Sequence, residues 1–210
     1  MNYVRLILSL DARFGWNIHR MDVKSAFLHG DLFEKNYLEQ PSGFSEDSSL
    51  VCRLKKSLYG LKQTPRAWYE NSDRFFISLG LKFYEYDHSI YVLHSNGDTL
   101  IVTLYVDDLI ITRNNAELIL GLKKQLSATF EMTDLGLLHF FLGIQVLQMD
   151  DGIFISQPKY VLYLLNGFKM QNCKACLTPF QSNVKLTKEC DSPQVDATLV
   201  YRNFLAVLFI

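Results

Sequence analysis

Apolar positions along this chain follow two rhythms, alternation and a three-to-four-residue repeat, and the places where the rhythm breaks mark its elements. Ile90 to His94 and Thr99 to Val106 are apolar runs joined by Ser95-Asn96-Gly97-Asp98, and Asn-Gly between such runs favours a tight hairpin turn with positive φ. A further run, Leu109 to Thr112, begins after only Asp107-Asp108. These runs are rich in Leu, Ile, Val and Thr, which suit buried strands, so two adjacent carboxylates sit at the tip of a second hairpin.

Around this centre the pattern predicts a helix over Val4 to Ala12, with Leu6, Ile7 and Leu10 on one side and Arg13 and Gly15 closing it. Trp16 to Val23 reads as a strand with Asp22 near its end, followed by Lys24-Ser25-Ala26-Phe27 and a turn at Gly30-Asp31. Tyr37 to Gln40 and Val51 to Leu54 are short strands. Pro65 opens a helix reaching Leu79, with Trp68, Phe75, Phe76 and Leu79 as its buried stripe and Gly80 as its stop. A second helix runs from Ala116 to Phe130, with Leu118, Leu122, Leu126 and Phe130 repeating every four residues and Asn114 or Asn115 as cap. Phe141 to Leu147 and Ile153 to Ser156 form a hairpin around Asp150-Asp151-Gly152, and Pro158 opens a helix that ends at Asn166-Gly167. A polar loop then spans Gln181 to Asp196, and an apolar helix starts at Tyr201.

With 210 residues, 49% of them hydrophobic, the chain can bury a sizeable core and is not of the disordered class. A net charge of −1 rules out a globally basic nucleic-acid coat. Locally, Arg53, Lys55, Lys56, Lys62 and Arg66 cluster near Tyr59 and Trp68, a composition that suits either a phosphate backbone or a solvated helix face. Cys52, Cys173, Cys176 and Cys190 show no framework spacing, which favours a reducing, intracellular setting. Cys173 and Cys176 lack the two further ligands of a zinc site. The Val4 to Leu10 run is too short and too charged for a signal peptide, and no stretch has the length of a membrane span.

Side by side, ionised Asp107 and Asp108 repel each other, and a divalent cation relieves that repulsion. With Asp22 from another strand end, the three acids suffice for two magnesium ions, roughly 3.5 to 4 Å apart in such sites.

Several segments resemble the reverse transcriptase of copia-type LTR retrotransposons. Met21-Asp22-Val23-Lys24-Ser25-Ala26-Phe27-Leu28-His29-Gly30-Asp31-Leu32 is similar to the first catalytic motif, and Tyr37 to Phe44 to the segment after it. Ser57-Leu58-Tyr59-Gly60-Leu61-Lys62-Gln63-Thr64-Pro65-Arg66-Ala67-Trp68-Tyr69 resembles the template- and nucleotide-contacting motif. Leu104-Tyr105-Val106-Asp107-Asp108 matches the second catalytic motif, and Phe141-Leu142-Gly143-Ile144 resembles the primer grip.

The resemblance implies an α+β right-hand polymerase fold: an antiparallel palm sheet with packed helices, partial fingers and the start of a thumb. It puts fingers and palm at 1–147, and the end of the primer-grip hairpin with an incomplete thumb at 148–210. Asp22, Asp107 and Asp108 become catalytic metal ligands for two Mg²⁺ ions, or Mn²⁺, with the Val23 carbonyl as a further oxygen. Phe27 becomes a steric gate against the 2′-hydroxyl, and Gly60, Lys62, Tyr105 and Val106 line the nucleotide site. The implied partners are an RNA or DNA template with a DNA primer, deoxynucleoside triphosphates and the rest of a retroelement polyprotein, with no membrane; the implied location is the cytoplasm, in a virus-like particle. No general-acid lysine is assigned, because Lys123 and Lys124 lie on the helix and Thr133-Asp134 in the loop after it. The basic fingers stretch lies upstream of the matching segment, the match stops at a thumb helix with Ala206 and Val207, and no RNase H region follows, so weak activity of the chain alone is expected. Two rivals stay open: a truncated, inactive remnant that at most binds nucleic acid, and a metal-dependent nuclease or carboxylate-pair hydrolase, which explains neither the Phe27 spacing nor the primer-grip match.

Overall fold

The computed structural model describes residues 2–175 except 45, 46, 48, 96 and 115. The loop from Gln181, the helix from Tyr201, Ala206, Val207, Cys176, Cys190, Asn96 and Asn115 lie outside the described residues. In chain order the elements are α1 (Asn2–Phe14), β1 (Asn17–Val23), a 3₁₀ turn (Ala26–His29), β2 (Tyr37–Leu38), β3 (Cys52–Arg53), α2 (Thr64–Ser78), β4 (Lys82–Tyr84), β5 (Asp87–Ser95), β6 (Asp98–Tyr105), β7 (Asp108–Arg113), α3 (Ala116–Thr129), β8 (Met132–Leu137), β9 (Phe140–Phe141), β10 (Ile144–Met149), β11 (Gly152–Ser156) and α4 (Pro158–Gly167). They fall into two compact units, Met1–His139 with Val146–Phe154, and Phe140–Gln145 with Ile155–Ile210.

The first unit is built on a six-stranded sheet of order β4-β5-β6-β7-β1-β8. Every neighbouring pair in it is antiparallel. Residues paired in register share a face. One face carries Met21, Val23, Leu109, Ile111, Val102 and Tyr91, which pack with Trp68 and Phe76 of α2 and Ile119, Leu122 and Leu126 of α3 into the main core. The opposite face carries Ile18, Arg20 and Asp22 beside Thr112, Ile110 and Asp108.

Part of that opposite face is covered by α1, through the buried stripe Val4, Ile7, Leu8 and Asp11. Each buried aliphatic side chain there is worth about 1.5 to 3 kcal/mol. The expected stripe of Leu6, Ile7 and Leu10 is corrected, since Leu6 is 52% exposed. An acid at the fourth stripe position hid the true spacing. On α3, Leu118 points outward and Ile119 inward. The reason is geometric: a strict four-residue repeat advances 400° per step and drifts off the buried face, whereas Ile119, Leu122, Leu126 and Phe130 mix steps of three and four.

Two strands went unrecognised in the sequence. The short edge strand β4 precedes β5, and Thr133-Asp134, expected in a loop, lies in β8 paired with β1. Edge strands are half-solvated, so their residues lack the apolar alternation that identifies a strand. Beneath β8, the buried Lys123 reaches both carboxylate oxygens of Asp134 (2.8 and 2.9 Å) and His19 Nδ1 (3.1 Å). Asp134 pairs with Met21, so this contact belongs to the helix-packed face and ties α3 to the sheet.

Asp11 is 1% exposed; the Thr112 hydroxyl donates to its Oδ1 (2.6 Å), and Oδ2 is buried with no partner among the described residues. Burial pushes its carboxyl up to about 7, partly opposed by the Thr112 hydrogen bond. Between the unfolded value near 4 and that folded value the native state holds the extra proton, so stability falls as pH rises across this window, by on the order of a few kcal/mol. Asp11→Asn is expected to flatten the slope and raise stability at pH 8. Urea midpoints at pH 5 and pH 8 check this, and an unchanged slope in the variant would contradict it.

In the second unit, Phe141 pairs with Ile144 and Phe140 with Gln145 around Leu142 and Gly143, both at positive φ (47° and 84°). The expected continuous strand from Phe141 to Leu147 is therefore broken at this turn. Helix α4 begins at Pro158, as its fixed φ favours, and Lys159 Nζ lies 5.1 Å from the Phe140 ring centroid. No described helix is long and apolar enough to cross a membrane.

Candidate active site

The register of β1 and β7 puts Asp22 directly opposite Asp108. Eighty-odd residues of chain separate them, and the antiparallel pairing removes that distance. The turn before β7 is locked to the same strand, because the Val23 amide donates to the Asp107 carbonyl oxygen (2.8 Å). Trp68 of α2 secures the other turn carbonyl, its Nε1–H donating to the Val106 oxygen (2.5 Å). Val106 itself has φ 57°, a left-handed conformation that is unfavourable for a β-branched residue. A strained turn thus holds Asp107 and Asp108 beside Asp22, with Tyr105 and Val106 each 44% exposed next to them.

Three carboxylates at one end of a sheet carry like charges, and among the described residues no three metal-ligating side chains are drawn into a closed cluster. Asp108 instead turns to Arg20, whose Nε and NH2 both lie 2.7 Å from Oδ1. Burial pushes the Asp108 carboxyl above its usual range; Arg20 opposes the rise, and the charges of Asp107 and Asp22 add to it. The chemistry of the donors, hard carboxylate oxygens on β1, on β7 and in the turn before it, is of the kind that binds divalent cations, although the side chains are not closed around one and Arg20 holds Asp108. Tyr3 on α1 faces the same site. Its hydroxyl is buried without a partner among the described residues and pushed up to about 12, first by burial and then by Tyr105, Asp87 and Asp108.

Phe27 lies in the 3₁₀ turn after β1, half-buried against the main core, its ring 4.9 Å from that of Tyr59. The turn is pressed onto α2 at Gly30, where an added Cβ would come within 2.6 Å of the Ser57 hydroxyl and 2.9 Å of Ala67 Cβ. Ser57 Oγ also donates to the Phe27 carbonyl oxygen. Gly60 has φ 92° in an open turn, and Lys62 is exposed. Lys62 and Arg66 line a groove of about 460 Å³ with Asp31, Phe33, Glu34 and Glu70. The basic stretch is less cationic than its local sequence implies, since Lys56 pairs with Asp31 (2.6 Å) and Arg66 with Glu70 (2.8 Å).

Sequence reasoning picked out the acids and Phe27 but passed over Arg20 and Tyr3, and placed Trp68 in the α2 stripe and the nucleotide-contacting motif without its hold on the acid turn. For Arg20 a signal was available, since a cation two positions before Asp22 on a strand must emerge on the same face.

The sequence matches the family described as reverse transcriptase (RNA-dependent DNA polymerase) over residues 1–182. It is 41% identical over 194 residues to the retrovirus-related Pol polyprotein from transposon TNT 1-94 of Nicotiana tabacum, covering 90% of this chain and 15% of that protein. To the Pol polyprotein from transposon RE1 of Arabidopsis thaliana it is 35% identical, covering 98% of this chain and 14% of the relative. A putative transposon Ty5-1 protein of Saccharomyces cerevisiae is 29% identical over 90% of this chain and 62% of its own length. The chain thus spans only about a seventh of the two plant polyproteins. No solved structure matches it. The chain belongs to the reverse transcriptase family, with its relatives among the Pol polyproteins of copia-type transposons.

Proposed function

We propose that this chain is the catalytic core of an RNA-directed DNA polymerase, adding deoxynucleotides to a primer by a two-metal nucleotidyl transfer. The observation that carries this is the cross-strand pairing of Asp22 with Asp108, with Asp107 tied to the same strand through Val23. On this reading the six-stranded sheet with α2 and α3 is the palm. Asp22, Asp107, Asp108 and the Val23 carbonyl would hold Mg²⁺ or Mn²⁺. When bound, such ions activate a 3′-hydroxyl and neutralise the triphosphate. The protein's own residues position: Tyr105 and Val106 form the floor beside the acids, Gly60 lets backbone approach the nucleotide, and Lys62 offers charge to its phosphates. Phe141, Leu142, Gly143 and Ile144 would steady the primer end. The partners are template, primer and deoxynucleoside triphosphates, within a longer polyprotein in a cytoplasmic particle.

Primer extension by the purified chain tests this. With a labelled DNA primer on an RNA template and each deoxynucleotide supplied singly in Mg²⁺ or Mn²⁺, only the complementary one should be added. Binding of primer and template with no addition under any condition would favour the inert remnant instead.

Phe27 makes a sharper claim about sugar choice. Phe27→Val opens space beside Tyr59, so ribonucleotide incorporation should rise by about tenfold or more while deoxynucleotide use falls little. An ordinary core phenylalanine would instead lose about 1 to 3 kcal/mol of stability with unchanged sugar discrimination. Competing ribo- and deoxynucleotides in one extension assay separates the two.

A further inference from the structure

Arg20 lies two residues before Asp22 on β1, so both side chains leave the sheet on one face. Arg20 pairs across the strand with Ile110 and Asp22 with Asp108, which makes Arg20 and Asp108 diagonal neighbours. The guanidinium closes that diagonal, with Nε and NH2 both at 2.7 Å from Asp108 Oδ1. Both side chains are shielded, 24% and 13% exposed, so water screens the pair poorly. Both contacts fall on one oxygen of a carboxylate that the polymerase reading needs as a metal ligand.

Resting on that reading, we propose that Arg20 is a positioning residue, the resident counter-cation of the acid site, which an incoming divalent cation must displace from Asp108 Oδ1. The chemistry follows from charge. Without a cation, the acids of β1 and the β6–β7 turn repel, and a guanidinium on Asp108 offsets part of that repulsion and keeps the carboxylate oriented. A divalent ion competes for the same oxygen and also meets the positive charge of Arg20 within a few ångströms, which weakens its binding. Arg20 therefore raises the cation concentration at which the site fills.

Mn²⁺ binding to the full chain, read from the electron paramagnetic resonance signal of free Mn²⁺, tests this without reference to activity. Arg20→Gln should tighten Mn²⁺ binding by about tenfold, since it removes both competitor and repulsion. Arg20→Lys keeps the charge but lacks the fork that grips Oδ1, and should tighten it by about threefold. Asp22→Asn should weaken binding in every background. Arg20→Gln with binding unchanged or weaker, while Asp22→Asn still weakens it, overturns the counter-cation role and leaves the acid site standing. Asp22→Asn binding Mn²⁺ as the wild type does overturns both. Should Arg20→Gln fail to fold, Arg20→Lys decides alone, and binding equal to wild type would refute the proposal.

Discussion

Asp107→Asn is expected to reduce primer extension by about a thousandfold or more while leaving the fold standing. The turn is anchored through main-chain atoms, the Asp107 carbonyl accepting from Val23 and the Val106 carbonyl from Trp68, and asparagine keeps both. The Asp107 side chain is half-buried and makes no ion pair among the described residues. Removing its charge relieves a like-charge neighbour of Asp108, so stability should stay within about 0.5 kcal/mol of wild type or rise. Asp108→Asn is the informative comparison. It takes from Arg20 a shielded carboxylate but also removes a charge that burial disfavours, so it should lose activity as Asp107→Asn does while its stability changes by no more than about 1 kcal/mol. Extension rates and urea midpoints on the same preparations check both. An unfolded Asp107→Asn chain would make that acid a structural residue.

Trp68→Ala is expected to have the largest effect on stability, about 3 to 5 kcal/mol, because a 3% exposed indole leaves a cavity in the main core. The ring stands edge-on to Phe130, with centroids 5.4 Å apart, so the hole opens between α2 and the end of α3. The same side chain holds the Val106 carbonyl, and Val106 is the residue whose left-handed φ keeps the acid turn strained. Trp68→Phe separates the two contributions. It refills much of the volume and removes the N–H, which should cost about 1 to 2 kcal/mol and lower the extension rate more than the folded fraction falls. A midpoint for Trp68→Ala within 1 kcal/mol of wild type would show that the packing argument is wrong.

The centre of the fold was legible because it is buried on both faces. β5, β6 and β7 are apolar enough to stand out, and the acids mark the break to within one residue: the turn is Val106-Asp107, and Asp108 already opens β7 because it pairs with both Tyr105 and Asp22. The partner of that turn was legible as chemistry but not as register, since nothing local in Asn17–Val23 says that Asp22 lies opposite Asp108. Elements at the sheet edges were illegible for the opposite reason. β4 and β8 are half-solvated, and Thr133-Asp134 looks like loop until Lys123 and Met21 are seen beside it. The buried charges were missed most completely. Asp11, Arg20 and Lys123 sit where a charge reads as surface, yet Asp11 and Lys123 are buried and Arg20 is partly shielded, each against a partner on another element, Thr112, Asp134 and Asp108 respectively. The basic stretch shows the converse error, since Asp31 and Glu70 reduce a charge that looked free.

Single-nucleotide incorporation with enzyme in excess over labelled primer and RNA template, run for wild type beside Asp22→Asn and Asp107→Asn, is the most direct test of a single site built from two strands. Wild type should add the complementary deoxynucleotide in a cation-dependent step that either substitution abolishes. Incorporation that survives Asp22→Asn would place the chemistry elsewhere than between β1 and the β6–β7 turn.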